Sequence, residues 1–192
     1  MEQIRQYFHQ FTPLSDADWL YFSSRLIPES FPKKSLVLCA GQTENYLSFI
    51  AEGLVRFFIP GDEENDVTFS FSFAGDFVSA YDSFLTRQPS TYHVETLTDT
   101  VLLRVSYTDL QDIYQNTAAG NIIGRHAGEG LYLTLLRREI SLLHETAEQR
   151  YVKLLTDQPK LIREIPLKYI ASYIGITPQA LSRIRKRIAG IS

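Results

Sequence analysis

Six consecutive residues, Thr68-Phe69-Ser70-Phe71-Ser72-Phe73, alternate hydroxyl and aromatic side chains without a break. A period of two is that of a strand and of no helix. Three phenylalanines then share one face and three hydroxyls the other, so one face is expected to be buried. The run belongs to a longer stretch of the same texture, residues 31–105, in which SLVLCAG, YLSFIAEG, LVRFFIPG and YHVETLTDTVLLRVS are short and rich in β-branched or aromatic residues. Gly41, Gly53, Gly61 and Gly75 fall where strands should turn. This stretch reads as an antiparallel β domain. On both sides of it the apolar period becomes helical, which places the chain in the α+β class.

Two short amphipathic helices are expected first, over residues 2–10 and 15–27, the second capped by Ser15 with Asp18 three residues on. Ser106 with Asp109 caps another over residues 106–117. Residues 118–144 then contain no proline and carry two apolar stripes. Ile123, Ala127, Leu131, Leu135 and Leu142 form one; Tyr132, Leu136, Ile140 and Leu143 form the other. Two stripes predict two partners, the β domain and a second copy of the chain, along a helix of roughly 40 Å. Gly120, Gly124, Gly128 and Gly130 weaken its first turns. Thr146 and Gln149 make a capping box for a further helix through Tyr151, Val152, Leu154 and Leu155, so the chain breaks near Glu145, the expected hinge. Pro159 should end that helix, leaving a link over residues 158–164.

Residues 165–188, IPLKYIASYIGITPQALSRIRKRI, have the spacing of two short helices joined by a tight turn. Pro166 suits a first turn, and Leu167, Ile170, Ala171 and Ile174 recur at helical spacing. Gly175 suits a left-handed C-cap, Thr177 an N-cap, and Pro178 the first position of the second helix. Leu181, Ile184 and Ile188 make its buried stripe. That leaves Gln179, Ser182, Arg183, Lys186 and Arg187 outward, in the pattern of a helix-turn-helix whose second helix enters the major groove of double-stranded DNA. Arg183 is expected to read guanine and Gln179 adenine, each by a two-pronged bond. Arg185, Lys186 and Arg187 are assigned to phosphates, with Lys160, Arg163 and Lys168 as further candidates and Thr177 at the helix start.

The charge map supports this assignment. The net charge of −3 conceals nine cations against two carboxylates in residues 150–192, a balance of +7, which leaves −10 on residues 1–149. A basic module on an acidic body suits a polyanion-binding surface. Among 192 residues, 44% hydrophobic and 12% aromatic, there is ample material for a core but no apolar run of membrane length. The first residues, MEQIRQYFHQF, lack the pattern of a signal peptide, so the protein is expected to be cytoplasmic. The single cysteine, Cys39, reads as a core residue and cannot alone hold an iron-sulfur cluster or a four-ligand zinc site. A cupin-like metalloenzyme would need about three converging ligands, and only His93 lies among the strands. The other alternative is a nucleotide- or small-molecule-binding interaction module whose terminal helices dock a protein; a steep salt dependence of DNA affinity separates it from a DNA reader.

In this order of parts the chain resembles the Crp/Fnr family of bacterial transcription regulators over nearly its whole length. IASYIGITPQALSRIRKRI and AGDFVSAYDSFLTRQPSTYHVETLTD carry the resemblance most specifically. It implies an N-terminal antiparallel β-roll, of the jelly-roll type and cyclic-nucleotide-binding kind, over residues 1–117, a dimerisation helix and hinge over 118–145, and a helix-turn-helix domain over 146–192. It further implies a homodimer on a near-palindromic operator, no catalysis, and RNA polymerase as a partner if the protein is an activator. By resemblance Pro178, Gln179 and Arg183 occupy base-facing positions. In the effector pocket, Asp76 stands where cyclic-AMP-binding members keep a glutamate for the ribose, and Ser90 and Thr91 stand where they keep an Arg-Ser pair for the phosphate. Without that arginine the usual charge-assisted contact is missing, and Arg87, three residues earlier, is the candidate substitute. Tyr132 and Leu135 on the long helix complete the pocket, near where those members meet the adenine with hydroxyls. The oxygen-sensing cysteine cluster of the family is absent, and His93 and His126 read as surface or core residues rather than haem ligands. No cofactor is assigned, and any small-molecule effector is left unidentified.

Overall fold

The computed structural model describes residues 1–61 and 66–190. These form two compact units, one of Met1–Phe57 with Phe71–Leu131, the other of Phe58–Ser70 with Tyr132–Ser192. Among the described residues no helix is long and apolar enough to cross a membrane.

The first unit opens with helices α1 (Glu2–His9) and α2 (Asp16–Ser23). Ser15 caps α2 as its spacing predicts, its Oγ accepting the Asp18 N–H at 3.0 Å. The helix ends four residues short of the expected Ile27. Pro28 supplies no helical donor, and Ile27–Phe31 instead forms strand β1, a strand the sequence did not announce. Strands β2 (Leu36–Leu38), β3 (Tyr46–Glu52), β4 (Leu54–Ile59), β5 (Val67–Phe73) and β6 (Phe77–Val78) follow, then α3 (Tyr81–Thr86), β7 (His93–Thr96) and β8 (Thr100–Ser106). They make two four-stranded sheets, in the orders β1-β8-β3-β6 and β2-β7-β4-β5. In the first sheet β8 is antiparallel to both neighbours, with Leu103 opposite Pro28 on one side and Phe49 on the other. That register puts Phe49 and Val105 among Ile4, Phe8 and Phe22 of the N-terminal helices, in the core that also buries Phe84 and Leu110. Gly53 turns β3 into β4 at φ +105°, and a Cβ there would stand 2.3 Å from Thr100 Oγ1, so backbone and space both require glycine.

The aromatic strand behaves differently from its pattern. Neither face of β5 is sealed: the three phenylalanines are half-buried, and Thr68, at 1% exposure, is the residue fully enclosed. β5 is the end strand of its sheet, where flanking elements rather than the pleat decide what is covered. Cys39, expected in the core, is half-buried.

Helix α4 (Tyr107–Asn116) is capped by Ser106 through the Asp109 N–H. Helix α5 (Gly120–His144) is continuous through its four glycines, 25 residues in all. Apart from Gly120 none of its residues is buried in the single chain; Tyr132 is 65% exposed, Leu135 55%, Ile140 55% and Leu143 81%. Both apolar stripes therefore exist, and over residues 132–144 they face outward.

In the second unit, α6 (Ala147–Asp157) starts in the full Thr146–Gln149 capping box. Helix α6 ends at Asp157, directly before Pro159 as expected, with Gln158 off the helical backbone at φ −134°. The expected link is helical, however: Pro159 also starts α7 (Pro159–Glu164), because its missing N–H is harmless at a first position, and Leu161 is buried. Helices α8 (Leu167–Tyr173) and α9 (Pro178–Ile188) complete the chain.

Candidate nucleic-acid interface

The backbone path of the turn between α8 and α9 follows from local chemistry. Gly175 sits at φ +78°, its N–H bonded to Ser172 O and the next N–H, of Ile176, to Ala171 O, both at 3.0 Å. This is the Schellman arrangement that closes a helix on a left-handed residue. Two residues later Thr177 Oγ1 accepts the Ala180 N–H at 3.2 Å and Pro178 opens α9. Ile170, Ala171, Ile174, Leu181 and Ile184 are all buried, so the two helices share a core and move as one body. Leu167 and Ile188, expected in the buried stripes, are 40% and 41% exposed, the one being the first residue of α8 and the other the last of α9.

Every residue assigned to DNA is exposed: Lys168, Thr177, Gln179, Ser182, Arg183, Arg185, Lys186 and Arg187. At 3.6 residues per turn Gln179, Ser182, Arg183 and Lys186 fall within an arc of about 100° opposite Leu181 and Ile184, with Arg185 and Arg187 on its flanks. The hydroxyl of Thr177 is used as the cap, and Arg187 pairs with Glu148 in the first turn of α6. Of the others, Gln179, Ser182, Arg183, Arg185 and Lys186 share the outward side of α9, and Lys168 is exposed on α8 with its ammonium 5.0 Å from the Tyr169 ring centre.

Below this surface lies a set of bonds that local sequence does not signal. Arg150 donates from Nε at 3.0 Å and Nη2 at 2.8 Å to Ile174 O, the last carbonyl of α8, and from Nη1 to Glu145 O at the end of α5. Arg138 of α5 donates to Tyr173 O at 2.8 Å with its guanidinium 3.8 Å from the centre of the Tyr173 ring, and burial draws its pKa below the usual arginine value. Glu145 bonds Lys153 and Ser141, and the Lys153 contact first of all holds its carboxyl below the ordinary range. The break near Glu145 is thus a fastened corner. The bonds that tie it to α8 run from Arg138 and Arg150 to backbone carbonyls far away in sequence, which no motif announces.

The residues assigned to an effector pocket are engaged locally. The Arg87 guanidinium donates to Glu44 O and Phe84 O and to Asn45 Oδ1, and stands 4.4 Å from the Tyr107 ring centre. Ser90 Oγ donates to Tyr92 O and accepts the Tyr92 N–H. Asp76 is exposed and its Oδ2 accepts the Phe73 N–H at 2.8 Å; Thr91 is exposed. Tyr132 and Leu135 belong to the second unit. His93 Nδ1 accepts the Ala40 N–H, and His126 stacks on Phe11 with centres 5.4 Å apart. Two strand arginines that the sequence reading passed over are buried with carboxylates, Arg56 with Glu95 at 3.1 Å and Arg104 with Glu29.

Comparison with known proteins agrees with this architecture. Residues 28–117 match the cyclic nucleotide-binding domain family. Among solved structures, a transcriptional regulator of the Crp/Fnr family from Eubacterium rectale is similar with a TM-score of 0.72 and 16% identity, over 92% of this chain and 85% of that one. FixK2 from Bradyrhizobium japonicum is similar at 0.71 and 15%, over 86% and 85%. The c-di-GMP-responsive global regulator CLP of Xanthomonas campestris is similar at 0.70 and 18%, over 92% of each chain. At these identities the shared feature is the fold. No curated protein matches the sequence.

Proposed function

Starting from a chain that carries a cyclic nucleotide-binding domain within the fold of Crp/Fnr-family regulators, we propose that it is a sequence-specific DNA-binding regulator acting as a homodimer. The observation that carries the proposal is the outward arc of Gln179, Ser182, Arg183 and Lys186 on a helix whose opposite side is buried. Arg183 and Gln179 read base edges; Arg185, Lys186 and Lys168 hold phosphates. Two copies pair through the outward apolar residues of α5 and present two recognition helices about 34 Å apart, so the operator is an approximate palindrome. RNA polymerase is the further partner if the protein activates.

The same proposal holds that DNA binding does not wait for cyclic AMP bound in the usual way. What supports this is the use of the Arg87 guanidinium and the Ser90 hydroxyl in local backbone bonds. Any effector is a small molecule held by other contacts, and it acts by preferring one arrangement of the corner at Glu145.

The test is DNA affinity against salt. Neutralising several phosphates per dimer makes affinity fall by about 10³ or more between 50 and 200 mM salt. A flat dependence would leave the protein-docking module as the better account. On an operator, Arg183→Ala should relax one base pair per half-site, by about 1 to 3 kcal/mol, while Lys186→Ala weakens all sequences alike. Equal losses for both variants on operator and random DNA contradict the division of labour.

A further inference from the structure

The end of α8 is held by three consecutive residues, each bonded to a different element. Tyr173 O receives Arg138 of α5 and Ile174 O receives Arg150 of α6. The third is Ser172, whose Oγ donates to Asp66 O and accepts the Thr68 N–H, both at 2.9 Å. A carbonyl at one residue and an N–H two residues on are the pair that a neighbouring parallel strand would engage. Ser172 therefore stands beside β5, the end strand of its sheet, bonding it as one rung of a neighbouring strand would. Thr68 is 1% exposed, so its N–H has little access to water when the serine hydroxyl is absent.

Resting on the reading of this chain as a dimeric DNA reader, we propose that Ser172 is a positioning residue for the DNA interface. Through it strand β5 sets the angle of the recognition helix, as a second input beside α5. Residues 58–70 belong to the same compact unit as α8 and α9, while the remainder of β4 and β5 belongs to the other unit. A shift of β5 along its length thus has a covalent path to Thr68 and Asp66, and from there one hydroxyl carries it to α8. Because α8 and α9 share a buried core, a tilt of Ser172 is a tilt of Arg183 and Gln179. In a dimer that must match two successive major grooves, such a tilt acts on half-site spacing and leaves each single contact intact.

The experiment uses the full chain with Ser172→Ala and with Ser172→Thr, which keeps a hydroxyl. Affinities are measured for a selected operator at its native half-site spacing, for the same operator lengthened between half-sites, and for an isolated half-site, with dimer mass and melting recorded. Loss of two hydrogen bonds should weaken Ser172→Ala on the native spacing about tenfold, or ~1.4 kcal/mol. The isolated half-site affinity and the dimer mass should stay unchanged, the melting midpoint should fall by a few degrees as the Thr68 N–H loses its partner, and Ser172→Thr should recover most of both losses. Unchanged affinity for the native operator, or an equal loss on the half-site, overturns the proposal. If the wild-type protein selects no operator, the regulator reading fails instead, and hydrogen exchange then decides the joint. Faster exchange of the Ile176 and Ala180 amides in Ser172→Ala supports it, and unchanged exchange overturns it.

Discussion

Replacing Arg150 by alanine should loosen the second unit while leaving the first intact. The guanidinium makes two bonds to Ile174 O, at 3.0 and 2.8 Å, and one to Glu145 O, so it closes the C-terminal ends of α8 and α5 together. Hydrogen bonds to a charged group contribute about 1.5 to 3 kcal/mol each, but one side chain makes all of these and the freed carbonyls at helix ends gain water. A net destabilisation of ~2 to 4 kcal/mol follows, or about 6 to 12 °C in midpoint for a chain of this size. The chain has one tryptophan, Trp19, packed with Phe22 in the first unit, whereas α6 to α9 belong to the second. Melting followed by helical circular dichroism should therefore move down in Arg150→Ala, and melting followed by Trp19 fluorescence should not. Arg150→Lys should recover only part, since an ammonium lacks the fork that serves both helix ends. An unchanged helical midpoint would refute the assignment of Arg150 as the fastening of the corner; a shift of equal size in both probes would show that the corner supports the whole chain.

Four further outcomes follow from the structure. Gly175→Ala should destabilise by ~1 kcal/mol through its left-handed backbone alone, because an added Cβ would find its nearest neighbour at 3.8 Å; denaturant unfolding measures it. Leu135→Glu with Ile140→Glu should convert the proposed dimer to monomer in sedimentation without moving the Trp19 midpoint, both residues being 55% exposed in the single chain. Glu148→Ala should release Arg187 for phosphate and steepen the salt dependence of binding to random DNA by about 0.9 in the log–log slope per protomer. Burial raises the Glu44 carboxyl above its ordinary value, so the folded chain holds a proton there that the unfolded chain has already lost. This group's contribution to stability therefore falls as pH rises from the ordinary carboxylate range through the raised pKa, and Glu44→Gln should flatten that part of the stability curve.

Much of the fold could be read from the chain because local chemistry decides it. Ser15, Ser106, Thr146 and Thr177 each cap the helix their spacing announces, and Gly175 and Pro178 mark the turn between α8 and α9. The misses have causes that a local pattern does not hold. Ile27–Phe31 pairs with β8 rather than extending α2, a choice made by a strand some seventy residues away. Pro159 ends α6 as its position announces, but the same missing N–H also lets it start α7 where only a link is expected. β5 has a clean period of two, yet its place at the sheet edge decides which of its residues are covered. At the candidate interface, the outward arc on α9 was legible because it depends only on helical spacing. Arg138, Arg150 and Ser172 were not, because their partners are main-chain atoms brought close only by the folded second unit.

The central claim is that this chain reads a DNA sequence with two copies of α9. The most direct measurement is selection from a pool of random duplexes by the purified protein, with and without cyclic AMP, followed by sequencing of what is retained. The account predicts one approximate palindrome, with half-sites about 34 Å apart, enriched in both arms. Enrichment only with cyclic AMP would contradict the reading of Arg87 and Ser90 as locally engaged groups, and no enriched sequence in either arm would contradict the claim itself.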